Sequence, residues 1–342
     1  MDESQQAQPL TTAPAADGAY ADAHRKLQDL RALLDRVIVG QGELVTHLVT
    51  AVFAGGHVLI EGLPGLGKTH LAKGLAAALG LHWARVQCTP DLMPADVTGA
   101  EIYATAAGGA STFEFRPGPV FAQLVLVDEI NRATPRTQSA LLEAMQERQV
   151  THAGVSHRLP NPFCVLATQN PIELEGTYPL PEAQLDRFMF KLTVPFPDRA
   201  SLRALLDVSL DAEPADTLQP IAGPPDVLRI SELCRTVLLG ERCKEAAVDL
   251  VLATQPDSSG PDSDARRHIR YGASPRALQA VIRAARVGAL MAGRSHVDID
   301  DLAAVALPVL RHRILLRLES ELDGLDADAT LASVIDGWRR KF

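Results

Sequence analysis

The chain has 342 residues, of which 46% are hydrophobic and 22% are charged. This composition is typical of a globular protein with a sizeable core, and the length suggests two or three domains. The net charge of −9 argues against broad nucleic-acid binding but is compatible with a local basic channel.

The first part of the chain is expected to be a tail followed by two helices. Residues 1–22 are rich in Ser, Gln, Ala, Pro and Thr, so we expect them to be disordered. Apolar residues three or four positions apart then predict a helix that ends near Val37, and Val39-Gly40-Gln41 breaks the pattern. A second helical pattern leads to the first strand candidate. The chain shows neither a secretory signal nor a run of ~20 apolar residues, so it predicts no membrane span.

A phosphate-binding loop follows that strand. Its pattern is Gly-x-x-x-x-Gly-Lys-Thr, between an apolar strand and a helical stretch that begins at His70. Its glycines let backbone N–H groups turn toward a phosphate, while the lysine supplies a positive charge and the threonine a hydroxyl for Mg²⁺. A Gly-rich surface turn is the alternative interpretation, and the flanking strand and helix weigh against it. With His70, the predicted nucleotide-binding residues are Gly62, Leu63, Pro64, Gly65, Leu66, Gly67, Lys68 and Thr69.

Further apolar strands alternate with helical stretches along the next part of the chain. This rhythm predicts an α/β domain with a parallel five-stranded sheet that is covered on both faces. Two segments depart from it and are typical of hairpins, at residues 100–120 and 148–160. The strand candidates are Val58–Ile60, Ala84–Cys88, Leu124–Val127, Phe163–Thr168 and Phe188–Val194.

The last third of the chain is predicted to be a small helical domain. A Pro-rich stretch at 213–226 is typical of a linker, which gives a core of residues 23–212 and a helical domain of residues 227–342. Residues 257–271 interrupt the helical pattern and are expected to form a solvated loop. The predicted helices are 227–239, 242–255, 275–292 and 299–316.

Two acids directly follow the strand Leu124–Val127. Asp128 is a candidate for holding Mg²⁺ through water, and Glu129 is a candidate base for the attacking water. Solvated acids at a strand end are the alternative, but the phosphate loop favours hydrolysis. Asn170, at the end of the next strand, is a candidate γ-phosphate sensor or an ordinary turn cap. Arg187 is a candidate arginine finger or a partner of a surface salt bridge.

Together these sequence motifs resemble those of the AAA+ ATPases, and within them those of the MoxR family. The resemblance runs from about residue 23 to the C-terminus. Several of the sequence motifs that carry the resemblance are longer than the general AAA+ signature. They are Val37-Ile38-Val39-Gly40-Gln41, Glu61 to Gly65, Phe115-Arg116-Pro117-Gly118-Pro119-Val120-Phe121, Asp128-Glu129-Ile130-Asn131-Arg132-Ala133, Ala167–Leu174 and Tyr178–Phe188.

The resemblance implies a P-loop AAA+ core with a C-terminal helical lid, ATP and Mg²⁺ as cofactors, and a role for each candidate residue. Val39 and Gln41 would border the adenine, and Asn170 would be sensor 1. Arg187 would be the finger, which reaches a neighbouring subunit's nucleotide and so implies a homo-oligomeric ring, usually a hexamer. Arg276, in Ser274-Pro275-Arg276, resembles sensor 2, whose arginine contacts the γ-phosphate within its own subunit. A solvent-facing arginine is the alternative there.

Four functions remain open at this point. MoxR-like proteins are associated with chaperone-like maturation of protein complexes, often beside a separate partner that carries a von Willebrand factor A domain. The ATPase subunit of a metal chelatase would use the same ring. A nucleic-acid motor is disfavoured by the acidic composition and the absence of an aromatic–basic patch. A nucleotide switch that does not hydrolyse ATP is disfavoured by Glu129 and Arg187. The four scattered cysteines predict free thiols and a cytoplasmic protein.

Overall fold

The structure is a computed structural model that describes residues 13–38, 40–63, 65–105, 111–172, 176–207, 218–258, 260 and 263–342. Its strands are β1 (Val58–Glu61), β2 (Trp83–Gln87), β3 (Gly99–Thr105), β4 (Ser111–Pro117), β5 (Leu124–Asp128), β6 (Gln149–His152), β7 (Val155–Arg158), β8 (Cys164–Gln169), β9 (Phe190–Thr193), β10 (Ile269–Tyr271) and β11 (Leu315–Leu316). Its helices are α1 (Ala13–Val37), α2 (Gly42–Ala54), α3 (Lys68–Ala78), α4 (Pro94–Thr98), α5 (Pro135–Glu147), α6 (Glu182–Leu185), α7 (Arg199–Asp207), α8 (Pro224–Thr236), α9 (Glu241–Ala253), α10 (Asp264–His268), α11 (Pro275–Met291), α12 (Ile299–Leu310), α13 (Leu318–Leu322) and α14 (Ala327–Arg339).

A parallel five-stranded sheet forms the centre of the core, as the sequence predicts. The strand order is β2-β5-β8-β1-β9. Because all strands run the same way, their C-terminal ends share one edge of the sheet, here called the carboxyl edge. The opposite side, where the strands begin, is called the amino edge. Alternate residues of the sheet face two apolar layers, one with α1, α2, α3 and the lid helices and one with α5.

Helix α1 corrects the prediction of a disordered tail over residues 1–22. The helix begins at Ala13, so that prediction is wrong for residues 13–22, and residues 1–12 lie outside the described part. Contacts with the lid explain the order. The Tyr20 hydroxyl lies 2.8 Å from the Thr236 hydroxyl, and Asp22 pairs with Arg229 at 2.9 Å. These partners are more than 200 residues away in the chain, so local composition does not reveal them.

The two segments that the sequence assigned to hairpins are antiparallel strand pairs, β3 with β4 and β6 with β7. The turn of the first pair, which includes Gly108-Gly109, lies outside the described residues. The hairpins contact each other through Phe115, whose ring stacks on His157 with centroids 4.0 Å apart. Tyr103 and Phe113 form an edge-to-face pair on the first hairpin, with 66% and 72% of their surfaces exposed.

The lid contains α8 to α14 and departs from prediction in three places. Residues 257–271 were predicted to be a loop, but they include α10 and β10. Helix α10 forms because the Ser263 side chain accepts a hydrogen bond from the Arg266 N–H at 3.2 Å and caps it. Helix α12 ends at Leu310, before the predicted end at 316. Helix α8 begins at Pro224, inside the stretch predicted as a linker, of which residues 213–217 are not described. Within the described ranges, no helix is long and apolar enough to cross a membrane.

Candidate active site

The phosphate loop connects β1 to α3 at the carboxyl edge. Gly65 and Gly67 adopt φ angles of 81° and 77°, and no heavy atom lies within 4 Å of where a Cβ would stand on either. Glycine takes this left-handed conformation without strain, and the open space leaves room for a bound group. Pro64 lies outside the described residues. The loop therefore has the backbone conformation and the free volume that a phosphate cradle needs.

Lys68 and Thr69 are the first two residues of α3, an 11-residue helix. The Lys68 ammonium donates a hydrogen bond to the Gly62 carbonyl, so its charge lies over the loop. Burial lowers the pKa of Lys68, whereas the negative charges of Asp128, Glu129 and Glu61 act to raise it. A helix N-terminus beside a lysine attracts anions, because backbone N–H groups and the ammonium point at the same place.

Asp128 ends β5 and is buried. Both of its carboxylate oxygens accept hydrogen bonds, one from the Thr168 hydroxyl at 3.0 Å and one from Arg85 Nε at 2.8 Å. Thr168 belongs to the neighbouring strand β8 and also accepts the Glu129 N–H at 2.9 Å. One hydroxyl therefore fixes both acids relative to the middle of the sheet.

Glu129 adopts φ 57° and ψ 52°, a left-handed conformation that is uncommon for a residue with a side chain. Such strain is often found at functional sites, where surrounding contacts hold it. Its carboxylate accepts hydrogen bonds from Gln87 Nε2 at 3.0 Å and from an Arg132 guanidinium nitrogen at 3.2 Å. Arg85 also donates to the Gln87 side chain at 2.9 Å. A polar network on β2 therefore connects the two acids.

Sequence reasoning missed Arg85, Gln87 and Thr168 as parts of the site. Arg85 and Gln87 stand two positions apart, so they lie on the same face of β2. The register pairs Gln87 with Asp128. The sequence did offer a signal for these residues, namely polar side chains at alternate positions near the C-terminal end of a strand. That signal can be used only when it is known which strand lies beside β5.

Asn170 directly follows β8 and is buried. Since β8 lies between β5 and β1, Asn170 is at the carboxyl edge between the acids and the phosphate loop. Its side-chain oxygen accepts a hydrogen bond from the Ile172 N–H at 3.2 Å. This is the contact that the turn-cap interpretation predicts. The amide is thereby held at the carboxyl edge, and its role as a sensor stays a prediction.

Gln41 stands before α2 and His70 lies in the first turn of α3. The end of α1 packs against α3, since a side chain built at Gly74 would meet Val37 at 3.5 Å. The turn that carries Gln41 therefore lies beside the helix that follows the phosphate loop. Val39 is outside the described residues, so the structure does not test its role.

Arg187 lies at the amino edge, on the far side of the sheet from the phosphate loop. It comes just before Met189, whose N–H donates to the His57 carbonyl at 2.7 Å at the start of β1. Strand β1 is four residues long, so the two edges are roughly 13 Å apart along it. The Arg187 guanidinium donates to the Leu142 carbonyl at 2.9 Å, and its Nε is buried without a hydrogen-bond partner. It therefore does not contact its own chain's phosphate loop.

Arg276 also lies at the amino edge, away from the phosphate loop of its own chain. A guanidinium nitrogen of Arg276 is 3.7 Å from the Asp186 carboxylate. Arg276 and Arg187 line the same cavity of about 350 Å³, together with His57. In this geometry the lid docks on the amino edge of the sheet, so Arg276 does not contact the phosphate loop of its own chain, and its role as a sensor stays a prediction.

Asp186 holds this docking in place. Its carboxylate accepts hydrogen bonds from Arg313 Nε at 2.8 Å and from the Ser274 hydroxyl at 3.2 Å. Arg313, whose side chain is only 3% exposed, also donates to the Phe188 carbonyl at 2.7 Å. His312 contacts that carbonyl as well, at 3.0 Å. Three lid residues are thus bonded to the segment that carries Arg187, so the lid and that segment form one unit.

Comparisons with known proteins agree with this geometry. A model of the ATPase family associated with various cellular activities matches residues 57–190, and a model of the AAA lid domain matches residues 262–334. Chaperone MoxR1 of Mycobacterium tuberculosis is 39% identical over 96% of this chain and 86% of its own length. The MoxR protein of Paracoccus denitrificans is 35% identical over 88% of this chain and 91% of its own. The chain belongs to the MoxR family of AAA+ ATPases.

A solved relative supports the fold independently. The crystal structure of a candidate ATPase from Cytophaga hutchinsonii superposes with a TM-score of 0.86 at 38% identity, covering 96% of this chain and 97% of that one. An uncharacterized Bacillus subtilis protein, YeaC, is 40% identical over 92% of this chain and 94% of its own length. In this MoxR-family chain the two matched segments contain the phosphate loop, both acids, Arg187 and Arg276.

The donor set of the carboxyl edge suits Mg²⁺ only together with phosphates. Among the described residues, no group of three His, Cys, Asp or Glu side chains could hold a metal ion by itself. Mg²⁺ is usually bound by one or two protein oxygens, several waters and the substrate's phosphates. Thr69 and Asp128 fit that pattern, since they supply a hydroxyl and a carboxylate beside the cradle.

Proposed function

We propose that this MoxR-family protein hydrolyses ATP in a ring, with each active site built from two subunits. The observation that supports this is the separation of the charged groups into two edges of one sheet. Lys68, Asp128 and Glu129 lie at the carboxyl edge, whereas Arg187 and Arg276 lie at the amino edge. In the proposed head-to-tail ring, the amino edge of one subunit would lie against the carboxyl edge of the next.

At the carboxyl edge, the phosphate loop and Lys68 would hold the phosphates of ATP. Thr69 and Asp128 would hold Mg²⁺, and Glu129 would orient and deprotonate the attacking water. Bound ATP with Mg²⁺ supplies the phosphoryl group that this water attacks. Asn170 would orient the same water, and Gln41 would border the adenine. Before nucleotide binds, Arg85 and Gln87 keep the two carboxylates in fixed positions.

At the amino edge, Arg187 and Arg276 would contact the nucleotide of the neighbouring subunit. Positive charge near the γ-phosphate stabilises the charge that develops in phosphoryl transfer. Arg276 belongs to the lid and is 3.7 Å from the Asp186 carboxylate, and Arg187 directly follows Asp186, to which the lid is bonded through Arg313. Nucleotide state in one subunit would therefore move the lid of its neighbour.

The output of the ring would be remodelling of a protein client in the cytoplasm. One relative carries the name chaperone, which favours this over metal chelation or nucleic-acid transport. The exposed Tyr103–Phe113 pair on the first hairpin offers an apolar surface for a client. We expect a hexameric ring and a separate partner with a von Willebrand factor A domain.

Replacing the candidate base tests hydrolysis directly. Glu129→Gln should bind ATP and assemble like the wild type while turnover falls by at least about 10²-fold, the usual contribution of a positioned base. Glu319→Gln is a matched control, because Glu319 is exposed in α13 of the lid. Turnover by Glu129→Gln above about a tenth of the control's rate would contradict the role of Glu129.

A further inference from the structure

A second and larger cavity lies between the core and the lid at the amino edge, beside the one that holds Arg187. Its volume is about 650 Å³, which is within the range of small-molecule sites. The core contributes the end of α2, the start of β6 and the turn before β8. The lid contributes α8 and α11, so a ligand in this cavity would touch both domains.

The charged residues around this cavity are mostly arginines. Five arginines line it against two glutamates, Glu147 and Glu232, although the whole chain carries a net charge of −9. Within the described residues, none of the five lies within 4.0 Å of a carboxylate, whereas Arg313 of the lid pairs with Asp186 at 2.8 Å. Arg158, Arg235 and Arg283 are exposed at the cavity mouth, and Arg148 and Arg286 are half-buried. The five are Arg148, Arg158, Arg235, Arg283 and Arg286.

The protein holds several of these guanidinium groups together despite their repulsion. The Arg148 guanidinium donates hydrogen bonds to the carbonyls of Gly55 and Phe163, both at 2.8 Å. These two bonds fix the guanidinium in the wall of the cavity. Arg283 is open to the cavity, yet burial by the surrounding walls lowers its pKa, and the charges of Arg148 and Arg235 lower it further. Arg286 Nε is buried without any hydrogen-bond partner.

We propose that this cavity binds a small phosphorylated metabolite whose phosphoryl groups contact Arg148, Arg235 and Arg283. Guanidinium groups match phosphate oxygens in pairs, and several converging on one space are typical of phosphate recognition. An anion bound among Arg148, Arg235 and Arg283 would also relieve the repulsion within the cluster. The floor includes Phe53, Leu81 and Leu228, which suit the uncharged part of such a ligand. Within one chain, this site is separate from the phosphate loop, which lies at the opposite edge of the sheet.

The consequence for the protein is regulatory. A ligand held by Arg148 of the core and by Arg235 and Arg283 of the lid would oppose any change in the angle between the two domains. Since the proposed ring output depends on lid movement, the metabolite would set how readily nucleotide binding moves the lid. The binding event itself does not depend on ATP hydrolysis.

The proposal is tested by measuring pyrophosphate binding with titration calorimetry. The protein carries Lys68→Ala, which disables the phosphate loop, and is called the background below. We expect saturable binding that weakens at least tenfold when Arg235→Gln and Arg283→Gln are added. A control with the same charge change, Arg270→Gln with Arg317→Gln, should bind within twofold of the background, because both residues are exposed and outside the cavity. Arg283→Lys should lose less affinity than Arg283→Gln. Melting temperatures without pyrophosphate check that each variant is folded.

Two results would overturn the proposal. The first is absence of saturable binding to the Lys68→Ala protein, or equal binding by the cavity variant and the control. The second is a cavity variant that no longer assembles into rings, together with a Lys68→Ala protein that does not bind pyrophosphate. That result would mean that the arginines contact another copy of the chain. Because Lys68→Ala is inactive in every arm, failure here is distinct from failure of the ATPase proposal.

Discussion

The buried pair between Arg313 and Asp186 should be essential to the docking of the lid. Arg313→Met removes the charge and keeps the length of the side chain, and it leaves the Asp186 carboxylate with the Ser274 hydroxyl at 3.2 Å and Arg276 at 3.7 Å. Breaking one side of a buried ion pair typically costs about 3–5 kcal/mol. Since two weaker partners remain, we expect a loss of about 3 kcal/mol in the free energy of unfolding.

Urea unfolding followed by tryptophan fluorescence measures this loss, because Trp83 lies in the core and Trp338 in the lid. Arg339→Met is the matched control. It breaks an Arg339–Asp300 pair whose side chains are 57% and 73% exposed, so it should cost at most about 1 kcal/mol. A loss for Arg313→Met no larger than the control's would refute the reasoning. A double-mutant cycle with Asp186→Asn separates the contribution of this pair from that of the carbonyls, such as Phe188, to which Arg313 also donates.

Three further predictions follow from the same contacts. Thr168→Val removes the hydroxyl that bonds both acids, so urea unfolding should show a loss of about 1–3 kcal/mol, and ATP turnover should fall while nucleotide binding is retained. Burial lowers the pKa of His57 to about 3. Between pH 6.5 and 3 the unfolded chain therefore binds a proton that the folded chain does not, and the free energy of unfolding falls as the pH falls through that window. His57→Gln should remove about 1.4 kcal/mol of the loss in free energy of unfolding that is measured between pH 7.5 and 5.5. Arg187→Ala mixed with Arg276→Ala should recover no ATPase activity, because both arginines belong to the same edge; recovery would mean that Arg276 acts within its own subunit.

Much of the carboxyl edge could be predicted because its chemistry is local in sequence. The phosphate loop and the two acids each follow an apolar strand directly, and parallel strands bring their C-terminal ends together. The five strands and the two hairpins were predictable for the same reason, since each is a short pattern between turn residues.

The amino edge could not be predicted in the same way. The position of Arg276 depends on how the lid docks, and that docking rests on partners such as Arg313 and Asp186, which are 127 residues apart. The order of α1 before Ala23 likewise depends on Thr236 and Arg229 in the lid. Local patterns carry no record of such partners, so the resemblance to other ATPases was the only guide, and it did not indicate that Arg276 lies at the amino edge.

If each active site belongs to two subunits, mixing two inactive variants should restore activity. Lys68→Ala disables the carboxyl edge and Arg187→Ala the amino edge. In a randomly mixed equimolar ring, half of the sites have an intact loop and half of those face an intact finger, so about one quarter of the wild-type ATPase rate should return. Intact mixed rings with no recovery at any mixing ratio would contradict the claim.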